Sequence, residues 1–165
     1  MKWFTLIDEF TRECLALEVA RGMTGSVVIT ILAKVVKQRG APRHIRSDNG
    51  PEFIAKAIRA WMLQAGIETL YIEPGAPWEN GYDESFNSKL RDELLACEEF
   101  TTLLEARVLG AQWRQGYNHE RPHSALGYQT PAEFGRMCPG ACSATLRSPP
   151  DTSTLVDGTL IVTGT

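Results

Sequence analysis

The chain has 165 residues, 43% hydrophobic and 22% charged, with a formal net charge of -3. That is long enough for one domain with its own core, and the composition is ordinary for a soluble globular protein. No apolar run reaches the ~18–20 residues of a membrane span, no apolar leader opens the chain, and Cys14, Cys97, Cys138 and Cys142 are too few and too scattered for a disulfide framework, so the expected compartment is the cytoplasm.

Residues 3–8, "WFTLID", and 14–20, "CLALEVA", read as strands joined by the turn "EFTRE". In "MTGSVVITILAKVVKQRG", Val27, Val28, Ile31, Leu32, Val35 and Val36 recur at helical spacing, with Thr24 as candidate N-cap and Gly40 as stop. "APRHIRS" predicts a short strand, and Pro51 opens a helix to about Ala65 whose apolar face is Ile54, Ile58, Trp61 and Met62. "IETLYIE" is strand-like and "PGAPWENG" is a loop. A helical pattern runs from Tyr82 to about Glu98, another covers "TLLEARVLGAQWRQGYN", and "NHERPHSALGYQTPAEF" is turn-rich and ends in a short helix. After Arg136 the composition turns to Ser, Thr, Gly and Pro, so residues 137–165 read as a divergent, disordered tail with a strand-like "TLIVT". Strands alternating with helices predict parallel pairing and an α/β layer fold, with Asp48 just past the C-terminal end of its strand, where open sheets of this class place their chemistry.

Seven basic residues (Lys34, Lys37, Arg39, Arg43, Arg46, Lys56 and Arg59) surround Asp48 against two acids, Asp48 itself and Glu52. Solvated helix faces and a phosphate-binding surface both account for that excess. One carboxylate organises a divalent cation poorly, and two or three do so well. The next loop-to-helix junction supplies "ENGYDESFNSKLRDE", in which Glu84, Asn87, Ser88 and Arg91 share a face while Phe86, Leu90, Leu94 and Cys97 lie opposite, toward a core.

Thirty-five residues separate Asp48 from Glu84, and Arg91 follows Glu84 by seven. With "LIDEFTREC", "SDNGPEF", "NGYDESFNSKLRDELL" and "YNHERPHSALGYQTPAEF" in this order, the chain resembles the catalytic core shared by retroviral integrases and bacterial insertion-sequence transposases. The resemblance covers about residues 2–135 and implies a ribonuclease H-like α/β fold, a mixed sheet flanked by helices, over residues 1–136. It implies DNA cleavage and strand transfer by phosphoryl transfer with two divalent ions, Mg²⁺ or Mn²⁺, held by carboxylates. Asp48 and Glu84 become the catalytic metal ligands. Asn49 and Gly50 shape the turn behind Asp48, and Arg46, Asn87, Lys89, Arg91 and Trp78 are candidates for DNA contact. The implied partners are transposon-end and target DNA and a second copy or an intact transposase, in a bacterial, nucleoid-associated setting without a membrane.

The family's first catalytic Asp lies on a central first strand preceding "LIDEFTREC", and this chain starts within the second strand. The expectation is therefore an N-terminally truncated core with its central strand missing, weak Mg²⁺ binding and little strand transfer. The inactive alternative is a remnant that binds DNA or pairs with an intact transposase. Asp8 reads as a hairpin-turn acid rather than a replacement ligand. His119-x3-His123 with Cys138-x3-Cys142 imitates zinc spacing, but packing or DNA contact explains the histidines better. Trp61 and Trp113 read as core, Trp78 equally as DNA contact or packing, Glu52 as a helix N-terminal acid, and Asp83 as pointing away from Glu84.

Overall fold

In β1 (Lys2–Asp8) five consecutive residues, Trp3 to Ile7, are buried, the pattern of a strand covered on both faces. The computed structural model of the chain describes residues 1–47, 56–71, 81–138 and 156–164. Phe4 and Leu6 belong to one apolar cluster and Trp3 and Ile7 to another, so the period-2 alternation of the strand separates two cores. β1 pairs antiparallel with β2 (Cys14–Ala20), and the register slips between Leu6 and Ile7, where Leu15 is the extra residue of a bulge. Asp8 closes this hairpin. Its Oδ1 accepts hydrogen bonds from the backbone N–H groups of Phe10 (2.9 Å) and Thr11 (3.0 Å), the turn role expected for it.

Helix α1 (Gly25–Arg39) buries Val28, Leu32 and Val35. Thr24 sits at its N-cap without a side-chain capping bond, and Gly40 ends it at φ 89°. β3 (Pro42–Ser47), α2 (Lys56–Gln64) and β4 (Glu68–Tyr71) form a parallel crossover unit. Ile58 and Met62 of α2 are buried, with Trp61 packed partly against them. α1 and α2 thus cover the Phe4–Leu6 face. On the other face lie α3 (Gly81–Leu90), a π turn (Arg91–Leu95) and α4 (Leu103–His119), followed by a 3-10 turn (Ser124–Leu126) and α5 (Pro131–Met137). Phe86, Leu90, Leu94, Ala106 and Tyr117 build that second core with Trp3 and Ile7, and Trp113 packs partly against it. Full burial of each large apolar side chain contributes about 1.5–3 kcal/mol. The π turn departs from the helix expected through Glu98. It places Cys97 in solvent, with its thiol donating to the Asp92 carbonyl, instead of on the buried face.

Capping boxes start both C-terminal helices: Thr102 with Glu105 in α4, and Thr130 with Glu133 in α5. α4 closes the outer edge of the sheet. Asn118 accepts from the Cys14 N–H (2.9 Å) and donates to the Cys14 carbonyl (3.0 Å), Arg114 donates to the Leu15 carbonyl (2.7 Å), and Arg107 donates to the Val19 carbonyl (3.3 Å).

The five strands stand in the order β2-β1-β5-β3-β4. β5 is Val156–Gly164, within the segment expected to be disordered. It runs antiparallel to β1, from Asp8↔Leu160 to Phe4↔Gly164, and parallel to β3, from Pro42↔Val156 to Ser47↔Val162. The centre of the sheet, expected to lack a strand, is filled by the far end of the chain. "TLIVT" is the heart of that strand. Its pairing partners are about 115–160 residues away in sequence, so local composition dominated the expectation of disorder.

Candidate functional site

β3 ends at the buried Ser47, immediately before Asp48. Asp48, Asn49, Gly50, Glu52 and Trp78 lie outside the described residues. α3 begins at Gly81, which sets Glu84 in its first turn with its side chain exposed. A carboxylate there is favoured by the partial positive charge of the helix N-terminus. Asn87 is half-buried on the same helix, Ser88 is exposed 3.4 Å from Asp92, and Arg91 is exposed at the start of the π turn. The exposed face of Glu84, Ser88 and Arg91 follows from the anchoring of Phe86, Leu90 and Leu94 behind it.

The proposed basic residues divide. Arg46 is half-buried and lies 3.9 Å from Glu9 of the hairpin turn, so part of its charge faces a carboxylate. Lys89 instead belongs to a cationic cluster with Arg12 and Arg121, all three close enough to the His123 ring to act on its titration. Burial first, then these cations, lower the pKa of His123 to about 4, leaving a neutral imidazole. The ring packs edge-on against Tyr117 at 5.0 Å, and Tyr117 stacks on Trp113 at 5.2 Å. Arg121 pairs with Glu93, whose other oxygen accepts from Trp113 Nε1 at 3.1 Å. Arg12 takes a left-handed conformation, φ 63°, which turns the hairpin back toward β2. The Arg12 turn lies beyond Asp8, whose register leads through Leu160 to Ile45 in mid-β3, so the cluster sits toward the end of the sheet away from Ser47. Sequence reading missed Arg12 and Arg121. The only available signal was their place in the family-like strings.

His119 is exposed, His123 is engaged with Tyr117, and Cys142 is outside the described residues. Among the described residues no three His, Cys, Asp or Glu side chains group to hold a metal ion. Cys14 is buried and its thiol is pushed up to about 12 by desolvation, which makes it inert at neutral pH. Glu84 offers a hard oxygen donor of the kind Mg²⁺ and Mn²⁺ take, and Asp48 follows the last described residue of β3.

Two family models, both described as Integrase core domain, match residues 1–77 and 65–131. The chain belongs to the integrase core family. This integrase core is 48% identical over 134 residues to an uncharacterized 39.2 kDa protein of insertion element IS476 from Xanthomonas euvesicatoria, covering 81% of this chain and 39% of that protein. It is 44% identical to a 31.7 kDa protein of insertion element IS407 from Burkholderia multivorans, covering 81% of this chain and 48% of the relative. A transposase for element IS904 of Lactococcus lactis is 27% identical, covering 78% of this chain and 52% of that one. The chain thus spans two-fifths to about one-half of these relatives. Among solved structures, the catalytic core domain of BIV integrase is similar at TM-score 0.62 and 25% identity, over 79% of this chain and 82% of that one. The HTLV-2 integrase catalytic core, solved in complex with magnesium, is similar at TM-score 0.59 and 17% identity, over 80% and 84%. The integrase core therefore has the ribonuclease H-like fold: a mixed sheet with helices on both faces.

Proposed function

We propose that this integrase core takes part in metal-dependent DNA cleavage and strand transfer as part of an insertion-sequence transposase. The observation that carries the reading is the placement of Glu84: an exposed carboxylate in the first turn of a helix anchored through Phe86 and Leu90, in a chain 48% identical to an insertion-element protein. Asp48 and Glu84 are the residues that would hold Mg²⁺ or Mn²⁺. When bound, such an ion supplies Lewis acidity to a phosphoryl oxygen. The chain's own residues supply the rest. Arg91 and Lys89 offer positive charge to phosphates, Asn87 offers an amide for positioning, and α3 with the π turn after it holds all three relative to Glu84.

The partners in this reading are DNA and a further transposase protomer, and the setting is the bacterial cytoplasm at the nucleoid. No helix among the described residues is long and apolar enough to cross a membrane. Residues 156–164 fill the centre of the core sheet without adding to its metal site. β5 brings no carboxylate to the Ser47 end of the sheet, where its residues are Ile161, Val162, Thr163 and Gly164. This favours a second reading, in which the chain binds DNA or pairs with an intact transposase without cutting.

The test combines Mn²⁺ titration calorimetry with a gel assay on DNA carrying the element's ends. The expected result is weak Mn²⁺ binding, lost in Glu84→Gln and Asp48→Asn, with DNA binding retained and little strand transfer. Vigorous strand transfer by the purified chain that stops in Asp48→Asn would overturn the inactive reading. Mn²⁺ binding unchanged in both variants would overturn the metal site.

A further inference from the structure

Among the described residues, β5 is the strand that pairs with both halves of the sheet. The described residues show no pairing of β1 with β3; β1 pairs with β5 from Phe4 to Asp8, and β3 pairs with it from Pro42 to Ser47. The other four strands pair locally. β1 and β2 meet across a hairpin, and β3 and β4 meet across the crossover through α2. β5 meets β1 only by closing a loop of about 150 residues, a slow contact to form. Until it does, β1 and β3 face each other across a gap one strand wide, lined on both sides by unpaired N–H and C=O groups. Such a gap is a template for an extended segment. The residues that fill it, Thr159-Leu160-Ile161-Val162-Thr163, have the apolar and β-branched composition of a strand inside a sheet.

We propose that the gap between β1 and β3 is a strand-acceptor site, that Val156–Gly164 of the same chain is its occupant, and that this occupant docks last and is replaceable by the same strand supplied in trans. The connection from Cys138 favours the chain's own strand over a second copy's. Residues 139–155 span up to about 60 Å when extended, enough to reach any point of a domain this size without the strain that drives strand exchange. The inference is independent of the DNA-processing reading and stands or falls separately from it.

The test uses the full chain and amide hydrogen exchange followed by mass spectrometry. In the natural sequence, residues 156–164 exchange about a hundredfold or more slowly than the same free peptide. Ile161→Pro removes the central amide of the ladder, so the amides of β1 and β3 lose protection together and the melting temperature falls. A synthetic peptide of residues 153–165 added to that variant restores both at one-to-one stoichiometry, and a scrambled peptide does not. Should Ile161→Pro fail to fold, the pair Thr5→Cys with Thr163→Cys decides, because these residues are register partners. A disulfide within one chain, identified by mass spectrometry, is the expected product. Free exchange of 156–164, intact β1 and β3 protection in Ile161→Pro, failure of the peptide to restore protection in the folded variant, a chain-to-chain disulfide, or no disulfide each overturns the proposal.

Discussion

His123 shows how one side chain ties the hairpin turn, α3 and the segment after α4 together. Its ring is pressed on Tyr117 among Lys89, Arg121 and Arg12, with Glu93 balancing Arg121, and it titrates near 4 rather than at its ordinary 6.5. Above about pH 6.5 the folded and unfolded chains both hold it neutral, and the group has no effect on stability. Between about 6.5 and 4 the unfolded chain takes up a proton that the folded chain refuses. Stability therefore falls on acidification across that window. Glu105 and Glu133, whose pKa values are lowered by hydrogen bonds from Thr101 and Thr130 respectively, lose their contributions at lower pH, below 4.5. Urea unfolding from about pH 7 to 5 should show the decline in the natural chain and a flatter curve in His123→Gln. An identical slope in both would remove His123 as the cause.

At the scale of elements, α4 explains the start of the string "YNHERPHSALGYQTPAEF", Tyr117 and Asn118. β2 is an edge strand, and α4 satisfies its outward backbone groups through Arg107, Arg114 and Asn118. Gly110 lets that helix approach: a Cβ there would meet the Trp3 ring at 2.9 Å. Asn118→Ala leaves a buried donor and a buried acceptor of Cys14 without partners, at about 1–3 kcal/mol each. The expected loss is thus about 2–6 kcal/mol in the free energy of urea unfolding, far above an ordinary surface substitution. A loss under about 0.5 kcal/mol would mean that water serves Cys14 equally well. Periodicity predicted the helix and read Trp113 as core. It did not predict that its polar face would complete a strand, because hydrogen bonds across 88 to 104 residues leave no local pattern.

For the whole molecule the net charge of -3 and the proposed DNA partner pull in opposite directions. The charge distribution accommodates both: Lys89, Arg12 and Arg121 converge from three parts of the chain, and Arg91 stands exposed two residues after Lys89. DNA affinity should fall steeply with salt despite the acidic total. Arg91→Ala should lower the slope of log affinity against log salt by about one unit, and Lys89→Ala likewise, as one phosphate contact is lost. Fluorescence anisotropy from low to physiological salt measures this. A salt-independent affinity would exclude phosphate contact as the basis of binding.

The sequence by itself determined the family, the strands and helices through α5, the turn role of Asp8 and the face on which Glu84 lies. These follow from periodicity, turn chemistry and spacing, all readable within a few residues or as ordered strings. Only the tertiary structure decided which charged residues meet, how the edge of β2 is closed, where the π turn redirects Cys97, and what lies at the centre of the sheet. β5 sits there because backbone donors and acceptors on β1 and β3 require partners. The chain met that requirement with a strand whose neighbours in space are far away in sequence.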